Sequence, residues 1–258
     1  MDGDEVNSAV ISRYMSFNRF VDMCRKGLFV PNANRFSDVW EGLLAIIALI
    51  GEIPKEELRK KAGVVKSNFF VSCWHKSEEE NMAMWKLYGR ERTSICVETT
   101  IKSLIDCCSD YAETYQFHNV SLAEVGYVLP HSDDLKGRKP TFIWDYWDSK
   151  KMNPTDCQSI PMSIKTLQGL TFKHKAYSYE KEIRVIYDTF MRSKKPLGVN
   201  KAKGIRMKLS KNFFHKIILS PDASNATLAR VKKVLDKYGY DKPIIKMSDL
   251  NLSNASGN

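Results

Sequence analysis

The sequence is notable first for the signatures it lacks. No stretch of 18 consecutive apolar residues occurs; the longest run, residues 43–50, is too short to cross a bilayer and reads as a buried helix. The six cysteines form no C-x-x-C pair. Most sit inside apolar patterns, so they read as buried thiols of a reducing compartment rather than as disulfides or zinc ligands. His118, His131, His174 and His215 show no metal spacing. There is no Walker A loop, G-x-G-x-x-G, H-E-x-x-H, G-x-S-x-G or zinc-deaminase pattern, which leaves P-loop, Rossmann, zincin, α/β-hydrolase and deaminase chemistry without support. The acidic residues 1–5 lack the apolar core of a signal peptide, so a cytoplasmic location with no membrane partner is expected.

What is present is an ordinary globular composition, 43% hydrophobic and 27% charged, over 258 residues. That length suits one large domain or two small ones. No internal repeat or low-complexity linker divides the chain. We expect a single domain over residues 9–250, with flexible ends at 1–8 and 251–258. The formal charge of +10 favours polyanions such as nucleic acid. A solvated basic surface gives the same number, since the lysines are spread and cluster only modestly at 194–195, 201–211 and 232–233.

Periodicity predicts strands at 9–15, 28–30, 68–74, 94–98, 123–129, 182–189, 204–209, 216–219 and 243–247. Helices are predicted at 17–26, closed by Gly27; at 40–50 and 54–62; at 78–88, opened by a Ser77/Glu80 capping box and closed by Gly89; from 101; and at 225–238, closed by Gly239. Residues 130–160 read as a lid or insertion with a helix near 141–150. The fold class is α+β, with a mixed or antiparallel central sheet, early inserted helices and one late amphipathic helix.

Three groups carry candidate chemistry. In Tyr179-Glu180-Lys181-Glu182-Ile183-Arg184, strand alternation puts Glu180, Glu182 and Arg184 on one face. Two carboxylates so spaced, with an arginine next, can hold a cation, a ribose diol or each other, and neighbouring carboxylates push their pKa values apart as acid/base work requires. A solvent-facing strand of alternating charge has the same spacing. The second group is Asp38 and Glu41, which also suit a helix cap and its first turn. The third is Ser72 and His75 with Trp85 and Tyr88, able to line a pocket for a base or nicotinamide ring, or to pack in a core.

The order of these pieces resembles a large uncharacterised bacterial family, a numbered domain of unknown function. Its pattern runs F-N-D-P-x-E, a C-F-S-like strand, M-W-x-x-Y-[AG] and K-x-x-x-W-x-x-E-x-E-x-R. Here these read Phe36-Ser37-Asp38-Val39-Trp40-Glu41, Ser72-Cys73-Trp74-His75, Met84-Trp85-Lys86-Leu87-Tyr88-Gly89, and a segment from Lys173 to Arg184. Upstream lie Arg13-Tyr14 and Lys26-Gly27. Ser37 and Val39 replace Asn and Pro, and Tyr177 replaces Trp. The layout is also similar to ADP-ribosyltransferases, including the DNA-modifying toxin branch, which use an early Arg, a middle Ser or His, and a late E-x-E. That resemblance implies NAD as substrate. Arg13, with Tyr14 beside it, would hold the pyrophosphate; Ser72 or His75 the ribose; and Trp85 or Tyr88 the nicotinamide. Glu182 would stabilise the oxocarbenium-like state and Glu180 would activate the acceptor, with Arg184 in the same cluster. A toxin or phage-defence role, a nucleic-acid or protein acceptor and a neutralising partner go with it. Two alternatives stay open. One is a metal-dependent nuclease with Mg²⁺ on Asp38, Glu41, Glu180 and Glu182 and with Lys173 or Arg184 on phosphate. The other is a non-enzymatic binding module.

Overall fold

The computed structural model describes residues 7–36, 63, 66–115, 119–129, 141–147, 170–189 and 202–250. The expected helices at 40–50 and 54–62, and with them Asp38 and Glu41, lie outside these residues. In chain order the elements are β1 (Val10–Met15), α1 (Phe17–Lys26), β2 (Leu28–Pro31), β3 (Phe69–His75), α2 (Met82–Tyr88), β4 (Ile95–Thr100) and α3 (Ile101–Tyr115). There follow β5 (Asn119–Glu124), β6 (Gly126–Val128), β7 (Thr141–Trp147), β8 (Phe172–His174), β9 (Glu182–Asp188), β10 (Gly204–Met207), β11 (Lys216–Leu219), α4 (Asn225–Tyr238) and β12 (Ile244–Met247). Strands and helices are not strictly alternating, and the sheets mix parallel with antiparallel pairs. The fold is therefore α+β with a mixed sheet, as the sequence implies.

The chain forms two compact units, one of residues 1–29, 74–107 and 206–258, the other of 30–73 and 108–205. In the first, the strand order is β12-β11-β4-β1. β1 runs antiparallel to β4, β4 to β11, and β11 parallel to β12. His75, the last residue of β3, pairs with Ser12 at the β1 edge. Helix α1 buries Phe17, Phe20, Met23 and Cys24, the helical spacing seen in its sequence. Arg230 of α4 lies 4.2 Å over the Phe17 ring, and Val231 and Leu235 are buried on the same helix.

In the second unit β9 lies between β3 and β5, and β7 closes the other side of β5. β5 is antiparallel to both β7 and β9. Every residue of β9 is buried. A core cluster of Ala33, Phe69, Val71, Leu170 and Ile186 fills one face, with Phe36 and Cys73 packed against it. A separate parallel pair, β6 with β8, sets Tyr127 opposite Lys173.

Several expectations are corrected. Residues 141–147 form a strand, not a helix: β5 supplies an antiparallel pairing partner along their length, with a register shift between Leu122 and Ala123. The strand expected over 123–129 breaks at Val125, whose N–H donates to the Glu182 carbonyl while Gly126 turns to the Thr171 carbonyl. The Ser77/Glu80 capping box does not form. Asn81 caps α2 instead, accepting from the Ala83 and Met84 N–H groups. Glu80 accepts from Trp85 Nε1, Ser248 Oγ and the Asp249 N–H.

Gly27 ends α1 at φ 83° and ψ 175°, positive in φ but outside the αL cap geometry. A Cβ there would stand 2.0 Å from the Met207 carbonyl oxygen. Gly27→Ala is thus both strained and clashing, and we expect a loss of roughly 3 kcal/mol or more. A urea unfolding curve checks it; Gly239→Ala, at φ 70° with nothing within 4 Å, should cost only about 1 kcal/mol.

Candidate functional site

The second unit holds a buried cluster of four ionisable side chains. Arg184, fully buried in the middle of β9, forks onto Glu182: Nε donates to Oε1 at 3.1 Å and Nη2 to Oε2 at 2.9 Å. Its Nη1 donates to the Leu170 carbonyl at 2.7 Å. The guanidinium lies 5.8 Å over the Phe36 ring. Lys173 on β8 sits between the two carboxylates, with Nζ 2.5 Å from Glu180 Oε2 and 3.5 Å from Glu182 Oε2. Its ammonium also lies 4.7 Å from the Tyr177 ring centroid. Glu180 is 4% exposed and Glu182 6%, which rules out a solvent-facing strand of alternating charges.

Glu180 and Glu182 do not share one strand face. Glu180 ends a 3-10 turn, Lys175–Glu180, capped by His174 Nδ1 accepting from the Ala176 N–H. Lys181 then adopts the left-handed conformation, φ 40° and ψ 56°, and β9 begins at Glu182. Lys181 is the one non-glycine residue with positive φ among the described residues. That conformation costs a residue with a Cβ about 1–2 kcal/mol. It turns the chain between the carboxylates so that both reach Lys173. Backbone strain of this kind concentrates where geometry serves function.

Two further side chains complete the site, and neither was among the candidates. Tyr127 Oη accepts the Glu182 N–H at 2.8 Å, fixing the first residue of β9. Burial and the neighbouring Glu182 and Glu180 carboxylates push its phenol well above the ordinary range, so it stays a hydroxyl. The Cys73 thiol hydrogen-bonds the Glu182 carboxylate. Alternation along β3 puts Ser72 on the opposite face from Cys73, so it is Cys73 that reaches Glu182. Burial by itself raises the pKa of Glu182. The charges of Arg184 and Lys173, with the hydrogen bonds from Arg184 and Cys73, outweigh it and leave the carboxyl below its usual range.

The remaining candidates lie in the first unit. Tyr14 packs edge-on against Trp85 at 4.8 Å and against His75 at 6.2 Å. Its hydroxyl accepts the Asn81 N–H at 3.0 Å. Arg13, next along β1, points to the opposite face, where its guanidinium lies 5.7 Å over Trp74. His75 and Trp85 are buried, while Tyr88 is exposed.

Residues 84–185 match the model of a family described as protein of unknown function (DUF2971). The chain thus resembles that family over a span that includes the Met84–Gly89 motif and the Lys173–Arg184 segment. No curated protein matches the chain. Among solved structures, DarT from Thermus sp. 2.9 in complex with carba-NAD⁺ aligns at 8% identity with a TM-score of 0.38, covering 93% of this chain and 95% of that one. The same protein in complex with ADP-ribosylated ssDNA aligns at 10% identity and a TM-score of 0.38, covering 93% and 94%. Its complex with NAD⁺ aligns at 7% and 0.37, covering 93% and 95%.

Removing Arg184 would leave Glu182 buried without its main partner. Arg184→Met should lower stability by about 3–5 kcal/mol near neutral pH. Because the folded pKa of Glu182 is depressed, its contribution is present above the unfolded value near 4.5 and is lost as pH falls through the folded value. The gap between the native protein and Arg184→Met should therefore narrow below that pH, as measured by urea midpoints across a pH series.

Proposed function

We propose that this chain is an NAD-consuming enzyme, transferring ADP-ribose or hydrolysing NAD at the same bond. The observation that carries the reading is the buried, ionised Glu182, fixed by the Arg184 fork beside a second carboxylate at Glu180. Exchanging a buried ion-pair network for apolar side chains is often neutral or stabilising. Four ionisable groups next to a strained Lys181 are therefore better explained by chemistry than by stability. A preorganised anion in a low-dielectric site stabilises positive charge that develops in a transition state.

In the reaction, the bond between nicotinamide nitrogen and ribose C1′ breaks and its electron pair leaves with nicotinamide. The ribose becomes oxocarbenium-like. Glu182 exchanges its 3.5 Å contact with Lys173 for a hydrogen bond from a ribose hydroxyl and stabilises that charge. The acceptor oxygen or nitrogen then bonds C1′, and Glu180, released from Lys173, takes its proton. Water as acceptor gives hydrolysis. The roles implied for Arg13, Tyr14, Ser72, His75, Trp85 and Tyr88 in holding NAD belong to the same proposal. So do a cytoplasmic setting, a toxin or phage-defence role with a neutralising partner, and an acceptor that is nucleic acid or protein. The Mg²⁺ alternative is less favoured because Lys173 Nζ already stands between the two carboxylates.

The test is nicotinamide release from NAD by the purified protein, with and without DNA, RNA or protein acceptors. Glu182→Gln, which keeps a carbonyl oxygen for Arg184, should cut turnover by about 10²–10³-fold. Glu180→Gln, which cannot take the acceptor's proton, should slow transfer and hydrolysis alike, by about 10²–10⁴-fold. Thermal melts of both variants establish that they are folded. Absence of NAD binding and turnover in the folded native protein overturns the reading, and chelator-sensitive cleavage of nucleic acid would replace it with the nuclease.

A further inference from the structure

The first unit carries a local excess of positive charge in one stretch. Residues 206–250 contain ten Lys and Arg against four Asp, a net +6 within the total of +10. Some of these cations have carboxylate partners: Arg206 with Asp22, Lys216 with Glu98 and Lys246 with Asp249. Lys208, Lys211, Lys237 and Lys242 are exposed and make no ion pair among the described residues.

Backbone contacts bring these lysines together. The Asp241 N–H donates to the Lys211 carbonyl at 2.9 Å, which sets Lys242 beside Lys211. One residue earlier, Tyr240 Oη donates to the Cys24 carbonyl at 3.3 Å and ties the turn to the end of α1, where Arg25 and Lys26 are exposed. Gly27 has no side chain, so the Met207–Lys208 peptide packs against it, bringing Lys208 to the same end. Lys237 lies in the last turn of α4, just before that turn.

A helix C-terminus attracts cations, and that accounts for Arg25, Lys26 and Lys237. It does not account for Lys208, Lys211 and Lys242, which belong to no helix. Their convergence on the same place, without carboxylate partners among the described residues, points outward. Aromatic rings lie within the patch as well: Arg206 stands 4.7 Å over the half-exposed Phe29, and Lys237 stands 5.5 Å from the Tyr238 ring centroid. Lysines that track phosphates, with rings available for bases, are the parts of a nucleic-acid groove. An anionic membrane would call for an apolar wedge. The exposed Met82, Leu87 and Tyr88 sit on α2 instead, and Ile244 alone of the large exposed apolar side chains in this unit follows the patch closely in sequence.

We propose that this surface, formed by the ends of α1 and α4, the segment after β10 and the turn before β12, docks the phosphate backbone of a nucleic acid. The proposal stands independently of the NAD reading, because binding is measured in the absence of NAD. Short fluorescein-labelled single-stranded and duplex oligonucleotides are titrated with the full chain across a salt series. Lys211→Glu with Lys242→Glu should weaken binding at least about tenfold and lower the salt slope by about two. Lys86→Glu with Arg92→Glu, exposed positions on α2 and the loop after it, makes the same change in net charge and should lower affinity less than about threefold. Equal losses in the two pairs, no binding by the native chain, or tighter binding to phosphatidylserine vesicles than to either oligonucleotide would each overturn the assignment.

Discussion

The second unit is organised around one interaction, the fork of Arg184 on Glu182. A guanidinium with no exposure to water, at the centre of a strand buried on both faces, needs an anion and carbonyl oxygens within reach. Glu182 supplies the anion and Leu170 the carbonyl. Once Glu182 is fixed, its other contacts follow. Its N–H must find an acceptor, which is Tyr127; its remaining lone pairs draw Lys173 and Cys73; and Lys173, so placed, draws Glu180. The left-handed Lys181 is the geometric consequence of holding both carboxylates to one ammonium.

Much of the fold was legible because local signals and tertiary context agreed. Helix α1 shows apolar residues at helical spacing up to a glycine, and α4 runs from Asn225 to a Gly239 in the αL conformation. Where the sequence misled, two local signals competed. Ser77 and Glu80 have capping-box spacing, but a caps-competent Asn81 lies one residue on, and Glu80 is drawn to Trp85 and Ser248 instead. Residues 141–147 follow a proline-interrupted stretch, and only the pairing with β5 decides that they are extended rather than helical.

The site was legible at its charged residues and opaque at its neutral ones. Glu180, Glu182, Arg184 and Lys173 stood out because their spacing matched a known pattern, and the structure brings all four together. Tyr127 and Cys73 carry no such signal. Tyr127 arrives through the parallel register of β6 with β8, across 46 positions of chain from Lys173. Cys73 arrives through the phase of β3, which decides between two adjacent polar residues, Ser72 and Cys73. A one-residue change of phase swaps the faces, so a sequence that names the strand correctly still leaves that choice open.

The two units handle charge in opposite ways, and the difference has physical meaning. In the second, two cations and two carboxylates neutralise each other inside the protein, where the effective dielectric is low and every interaction is strong and little screened by salt. Such an arrangement is costly to assemble but needs no reorganisation when charge develops beside it, which suits a reacting bond. In the first, Lys208, Lys211 and Lys242 are exposed and make no ion pair among the described residues, and each contact there is weak and screened within about 10 Å at ordinary salt. Weak, additive and exposed charges suit a long polyanion, whose many phosphates supply together what no single pair can. The site chemistry and the net charge of +10 are thus separate properties of this chain. Residues 206–250 of the first unit hold a net +6, whereas the Glu180–Glu182 pair and its two cations are buried in the second, so Lys211 and Lys242 can be reversed in charge without removing any contact of that cluster.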